Sequence, residues 1–252
     1  MAVTAAGRSS TRSIDRVIQL LNCFDDIHPE LSLSDLADLT GFPVSTAHRL
    51  AQTLVRGRML EQDPGTGRYR IGRCLATLAQ PALTRLGLDD AAPHLFELAS
   101  AIRIAVSVSV ADDGDAVTVF QARPPESFCV NQVPATRQPL ASSAGGRAIL
   151  AFGVERDGGG RRALDGPVLR ERLGTDLDRV RRNGFAVADI EGEDPIRSIA
   201  VPIFGIDGRV RGALSTQARA RRLDQDLVRA VVPSLRQMAV RVGPLLHAES
   251  AR

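Results

Sequence analysis

The amino-acid sequence predicts an α+β protein: an N-terminal winged helix-turn-helix, a linker helix, and a C-terminal mixed α/β domain. Three features carry that prediction. Residues 33–56 hold two short helical periods joined across Gly41-Phe42-Pro43. Residues 60–72 hold two short strand-like runs around a Pro-Gly turn. From residue 104 the apolar period shortens from helical to alternating.

At 252 residues and 44% hydrophobic content the chain has material for two domains with ordinary cores. It has no apolar run long enough to span a bilayer, and its opening segment MAVTAAGRSSTR lacks the hydrophobic centre of a signal peptide. The reading is a cytoplasmic protein with no membrane partner. Cys23, Cys74 and Cys129 are odd in number and widely spaced, which signals neither a disulfide framework nor a thiolate metal site. The formal net charge of +3 is compatible with nucleic acid, but placement says more than the sum. Six arginines (Arg49, Arg56, Arg58, Arg68, Arg70, Arg73) fall between residues 42 and 73 against two acids, Glu61 and Asp63. Positive charge therefore gathers on the second short helix and the hairpin after it.

Residues 1–9 are small and polar and read as a disordered arm; residues 10–72 read as the winged helix-turn-helix. Its first helix spans 10–24, with Ile14, Val17, Ile18, Leu21 and Phe24 on one side. The next opens at Ser32, whose hydroxyl and the Asp35 carboxylate make the reciprocal pattern of a capping box. Leu33, Leu36, Ala37 and Thr40 form its buried stripe, Gly41 supplies a helix stop, and Pro43 suits the start of another helix. In that third helix Val44, Ala47, Leu50, Ala51 and Leu54 recur at helical spacing and face the core. Ser45, Thr46, His48, Arg49, Gln52 and Thr53 occupy the opposite face, and Arg56 and Arg58 follow. In a helix-turn-helix the first residues of the second helix meet base edges, which makes Ser45, Thr46 and Arg49 the readers. Arg49 fits the two-pronged contact to guanine O6 and N7.

Taken alone, two such helices fit equally an ordinary helical hairpin with a solvated polar face. The following hairpin shifts the balance toward DNA. Asp63-Pro64-Gly65-Thr66-Gly67 is strong turn chemistry, and Arg68 and Arg70 alternate with Tyr69 and Ile71, which places both guanidinium groups on one face. Such a face suits phosphate.

Residues 73–88 read as a linker helix bent at Pro81, its apolar stripe serving either packing within one chain or pairing of two. A helix over 89–101 opens the second domain, 89–252. Strands are expected over 104–110, 116–122 and 128–133, the first two joined by Asp112-Asp113-Gly114. Then come a loop and short helix over 142–152, a glycine-rich connector at 158–162 and a charged helix over 169–183. A second hairpin follows over 198–204 and 210–216. The closing helix, 223–246, is a candidate for a break at Pro233. Together these give a mixed sheet flanked by helices.

Catalysis finds no support: the four histidines are scattered, and no HExxH, Walker loop or GxSxG elbow is present. No catalytic residue, cofactor or metal site is assigned. Asp189, Glu191, Glu193 and Asp194 lack calcium-loop spacing and read as a solvated loop or the rim of a polar pocket.

The segment from residue 13 to 72, with SIDRVIQLL, LSLSDLADLTGFPVSTAHRLAQTLV and LEQDPGTGRYRIG in that order, resembles the DNA-binding domain of the IclR (isocitrate lyase regulator) family, and the resemblance continues into the second half. It implies a homodimeric or tetrameric bacterial transcription factor, a repressor on palindromic double-stranded operator DNA. The DNA-binding set it supports is Ser45, Thr46, His48, Arg49, Gln52, Thr53, Arg56, Arg58, Arg68, Tyr69 and Arg70. It also implies a GAF-like effector domain sensing a small organic acid or other metabolite. The matching effector positions are Ser142, Ser143, Ala144, Gly145 and Gly146 in the loop before the short helix, Asp189 and Glu191 after Gly184-Phe185-Ala186, and Ser198, Ser215 and Gln217 on the last strands. Two positions depart from the family pattern: Ala188 stands where Asp is usual, and Ser198 where Cys is usual. The alternative is a small-molecule sensor or enzyme whose winged helix mediates protein contacts.

Overall fold

The computed structural model describes residues 6–24, 28–124, 136–153 and 167–247. The chain divides into two compact units, Met1–Ala82 and Leu83–Arg252. Among the described residues no helix is long and apolar enough to cross a membrane.

The first unit runs α1 (Ala6–Leu21), β1 (Glu30–Leu31), α2 (Leu33–Thr40), α3 (Val44–Arg56), β2 (Leu60–Gln62) and β3 (Tyr69–Ile71), then enters α4 (Arg73–Leu86). Its small antiparallel sheet has the order β1-β3-β2. The capping box is present: Ser32 Oγ accepts from the Asp35 N–H at 3.1 Å, and Asp35 Oδ2 accepts from the Ser32 N–H at 2.8 Å. Gly41 ends α2 at φ +69°, and the Pro43 carbonyl starts α3 by accepting from Thr46 and Ala47. The core gathers Leu20, Leu31, Leu36, Leu50, Ala51, Leu54, Leu60 and Tyr69.

Three expectations change here. Helix α1 begins at Ala6, so residues 6–9 are helical and the expected arm is reduced to residues outside the described ones. Ile14 and Ile18 are 58% and 51% exposed while Leu20 is fully buried. The packed stripe of α1 is Val17, Leu20 and Leu21, and Ile14 and Ile18 fall on its flank. Val44 is exposed because α3 meets the core only from its second turn, at Ala47.

The second unit is built on a six-stranded sheet of order β6-β5-β4-β9-β8-β7, from β4 (Val106–Asp112), β5 (Asp115–Ala122), β6 (Arg137–Pro139), β7 (Ala186–Ile190), β8 (Ile196–Phe204) and β9 (Val210–Arg219). Every pairing among these strands is antiparallel, so the expected mixed sheet is mixed only in its helical cover. The cause is connectivity: β4–β5 and β8–β9 are hairpins, the first turning at Asp113 and Gly114, both at positive φ. One face packs on α5 (Leu88–Ile102) and α8 (Gln225–Val242). The other packs on α6 (Ala144–Phe152) and α7 (Pro167–Asn183). Pro233 lies inside α8 without ending it. Proline 81 likewise lies inside α4, which buries none of its residues. Strands β1, β6 and β7 were not anticipated, and the expected strand at 128–133 and connector at 158–162 lie outside the described residues.

Seating α6 requires a glycine. A Cβ at Gly146 would meet the backbone of Leu140, while the Gly146 N–H donates to the Ser143 side chain at 3.1 Å. Gly146→Ala is expected to destabilise the protein by about 1–3 kcal/mol through overpacking, read as a lowered denaturation midpoint. An unchanged midpoint would contradict this seating.

Candidate functional site

Helix α3 is two-sided. Ala47, Leu50, Ala51 and Leu54 are buried and fix its roll, leaving Ser45, His48, Arg49, Thr53 and Arg56 exposed and Thr46 half-buried. The Thr53 hydroxyl donates to the Arg49 carbonyl at 2.8 Å and accepts from Arg56 Nη2 at 3.0 Å, which ties the Arg56 side chain to the helix surface. Arg58 turns the chain out of α3 at φ +57° and is exposed. Six of the expected DNA-facing residues, Ser45, His48, Arg49, Thr53, Arg56 and Arg58, thus lie open together on or just after one helix.

Tyr69 does not belong with them. It is 1% exposed and sits in the core under the wing, because alternation along β3 turns it inward when Arg68 and Arg70 turn outward. Its hydroxyl accepts from Gln52 Nε2 at 3.2 Å, and the same amide donates to Gln62 Oε1 at 3.0 Å. Gln52 is therefore held by the wing as well. Both residues fix α3 to the hairpin rather than face outward.

The hairpin turn is organised by Asp63, whose carboxylate accepts from the N–H groups of Gly65 and Thr66 at 2.9 and 2.7 Å. Those bonds, from Thr66 first, hold its pKa below the usual aspartate range. The wing arginines are already paired. Arg68 Nη2 lies 3.1 Å from Asp35 Oδ2 and donates to the Glu30 carbonyl at 3.2 Å. Arg70 meets Glu61 at 3.3 Å and Glu30 at 3.5 Å, and Arg73 Nε meets the other Glu61 oxygen at 3.0 Å. These pairs are solvent-accessible and therefore weak, so a phosphate can displace the carboxylate without large cost. Glu61 sits below the usual glutamate range, chiefly through the hydrogen bond from the Arg73 side chain.

In the second unit the structure divides the expected effector residues. Register sets Ser107 opposite both Gln121 and Ser215, and Ser198 opposite Gln217. Because alternate strand positions share a face, these five lie on the α6 side with Ala186, Ala188, Ala200 and Ala213. Ser107, Ser198, Ser215 and Gln217 are buried. Ala188 and Ser198, the two departures from the family pattern, are direct cross-strand partners. Ser143 caps α6, while Ala144, Gly145 and Gly146 are buried where that helix presses on the sheet; Ser142 is exposed. The small size of the loop residues thus answers a packing need.

Asp189 goes elsewhere. It neighbours Ala188 along β7 and so points to the opposite side of the sheet, where Arg197 Nε and Nη2 hold its carboxylate at 2.7 and 2.9 Å. The hydrogen bonds from Arg197 lower its pKa. Glu191 follows the end of β7 and is exposed. Neither joins Ser198, Ser215 and Gln217. Ser107 and Gln121, which the sequence reading did not assign, do join them. For Ser107 the strict alternation of IAVSVSV was the available signal, since it places the serines on the face opposite the valines; Gln121 is placed only by the register of β5 with β4. Among the described residues no group of three or more His, Cys, Asp or Glu is placed to hold a metal.

Comparison with known proteins gives a consistent result. Residues 13–64 match the IclR helix-turn-helix domain, and residues 165–243 match the C-terminal domain of bacterial IclR transcriptional regulators. The DNA-binding transcriptional repressor YiaJ of Escherichia coli (strain K12) is 28% identical, over 92% of this chain and 86% of its own. The HTH-type transcriptional regulator XynR of the same organism is 26% identical, over 84% and 88%. A crystal structure of an IclR homolog from Microbacterium hydrocarbonoxydans, complexed with 4-hydroxybenzoate, is 26% identical with a TM-score of 0.69, covering 93% of this chain and 98% of that one.

Two outcomes follow from the geometry. Tyr69→Phe keeps the ring but removes the acceptor for Gln52, and is expected to cost about 0.5–1.5 kcal/mol in urea unfolding, against about 3–5 kcal/mol for Tyr69→Ala. Equal stability of Tyr69→Phe and the parent would contradict the Gln52 bond. The lowered Glu61 pKa means that its pairing contributes above the ordinary glutamate range and is lost as pH falls through the lowered value. An NMR titration should find Glu61 protonating at lower pH than an ordinary glutamate, and Arg73→Ala should move it back up. No upward movement in that variant would contradict the assigned cause.

Proposed function

Because the chain belongs to the IclR family of bacterial transcriptional regulators and is a DNA-binding regulator of that type, we propose that it represses transcription as a homodimer on a palindromic operator, under control of a small-molecule effector. Regulators of this family are not enzymes, which removes the enzymatic alternative. The observation that carries the proposal is the two-sided α3: its apolar side is buried from Ala47 through Leu54, while Ser45, His48 and Arg49 stand open at its N-terminal half. Ser45, Thr46 and Arg49 read base edges in the major groove. His48, Thr53, Arg56 and Arg58 serve the flanking backbone, and Arg68 and Arg70 exchange their carboxylate partners for phosphate.

The proposed organisation assigns residues 10–72 to DNA binding, 73–88 to the linker and 89–252 to a GAF-like effector domain. Pairing of two copies is supported by α4, where Leu78 is 58% exposed on a helix with no buried residue. The effector site is the α6-side face of the sheet, around Ser198, Ser215 and Gln217, with the loop before α6 beside it. The 4-hydroxybenzoate bound by the Microbacterium relative supports a small organic acid as the effector class. Such a ligand alters operator affinity only if it binds two arrangements of the dimer unequally.

Sequencing the genomic fragments that the purified protein retains would supply the operator for a gel-shift series. On it, Arg49→Ala should lose about 1–3 kcal/mol of discrimination at one base position, while Arg68→Ala should weaken all sequences alike and reduce the salt slope by about one. If neither substitution changes operator affinity, the assignment of these residues is wrong.

A further inference from the structure

The arginines of the first unit fall into two sets. Arg49, Arg56 and Arg58, on or just after α3, meet no carboxylate among the described residues. Arg68, Arg70 and Arg73, on and just after the wing, meet Asp35, Glu30 and Glu61. Asp63 at the hairpin turn adds a further carboxylate within the field of Arg70, and His28 lies within that of Asp35. Charge is thus opposed on the wing and unopposed on the recognition helix. Asp35 and Asp63 also serve the fold, one in the capping box and the other in the turn. Glu61 spans two arginines: Oε2 accepts from Arg70 Nη2 at 3.3 Å, while Oε1 accepts from Arg73 Nε at 3.0 Å and from the Arg73 N–H at 3.4 Å. A DNA phosphate seeks the same Arg70 donors. On its arrival the carboxylate either gives up its pair or stays and repels the phosphate, and both lower affinity.

Resting on the reading of the wing as the phosphate-facing element, we propose that Glu61 is a built-in competitor of DNA for Arg70, holding down the affinity that the wing gives to any sequence. Contacts to the sugar-phosphate strand do not distinguish one sequence from another, and the genome offers a large excess of unrelated sites. A carboxylate set against the wing lowers retention on all of them, while the arginines of α3 keep their full charge for the groove.

The test uses the full chain, a genomic fragment that it retains and an unrelated duplex of equal length, titrated by fluorescence anisotropy over a salt series. Glu61→Gln keeps the side-chain volume and a carbonyl oxygen for Arg73, and removes the charge facing Arg70. It should tighten binding to both duplexes by about three- to tenfold and steepen the salt slope by about one. Glu30→Gln should tighten less, since that carboxylate meets Arg70 alone and at 3.5 Å. In an Arg70→Ala background, which by itself weakens both complexes, Glu61→Gln should tighten binding by a smaller factor than in the parent. Unchanged or weaker binding in Glu61→Gln, with Arg70→Ala still weakening both complexes, would overturn this inference alone, because Glu61 would then position Arg70 for phosphate. Equal tightening with and without Arg70 would also overturn it, in favour of a general charge effect. Arg68→Ala and Arg70→Ala both without effect on either duplex would overturn the phosphate-facing wing as well.

Discussion

The hydrogen bond between the buried Tyr69 hydroxyl and Gln52 is the contact on which the DNA-facing surface depends. A recognition helix is useful only if its roll and its distance from the wing are fixed. The roll is set by Ala47, Leu50, Ala51 and Leu54, all buried, and the wing is set by Tyr69 beneath its second strand. Gln52 joins the two, and through Gln62 it also reaches the first strand of the hairpin. A polar link suits this position because it is directional: an apolar contact would hold the helix near the wing without fixing its register. The side chains left outside are then held on a rigid frame rather than on a loop.

Electrostatics on the wing follow a different logic. Arg68, Arg70 and Arg73 are each within ion-pair distance of Asp35, Glu30 or Glu61, so the unit does not present a bare cationic edge. Half-exposed pairs of this kind orient the guanidinium groups and yield to a phosphate that offers the same geometry with more charge. The second unit is arranged oppositely. There Asp189 is tied to Arg197 on one side of the sheet, while the other side carries the buried serines and Gln217 beneath α6, with Arg219 next along β9 and paired to Asp194.

Local signals in the sequence were legible and long-range ones were not. The capping box at Ser32 and Asp35, the stop at Gly41, the Asp63 turn and the Asp113-Gly114 hairpin all rest on neighbours within a few residues, and each is present. Ile14 and Ile18 were misplaced because which flank of an amphipathic helix packs is decided by α2 and α3, distant in sequence. Tyr69 was misplaced although the needed fact was at hand: alternation with two outward arginines already implied an inward ring. Asp189 followed the same rule relative to Ala188, yet only the register with β8 reveals Arg197 as its partner. The serines of β4 alternate with its valines and are nonetheless buried, since β4 is an interior strand covered on both sides. Edge strands β6 and β7 carry too little apolar alternation to announce themselves.

The central claim is that the outer face of α3 enters a major groove. Methylation interference on a retained genomic fragment tests it most directly, because dimethyl sulfate marks guanine N7 in the major groove and adenine N3 in the minor groove. The account predicts interference at guanine N7 in two symmetric half-sites about 10 base pairs, or a multiple of that, apart. Interference confined to adenine N3, or none at guanine N7 in a tightly bound fragment, would contradict it.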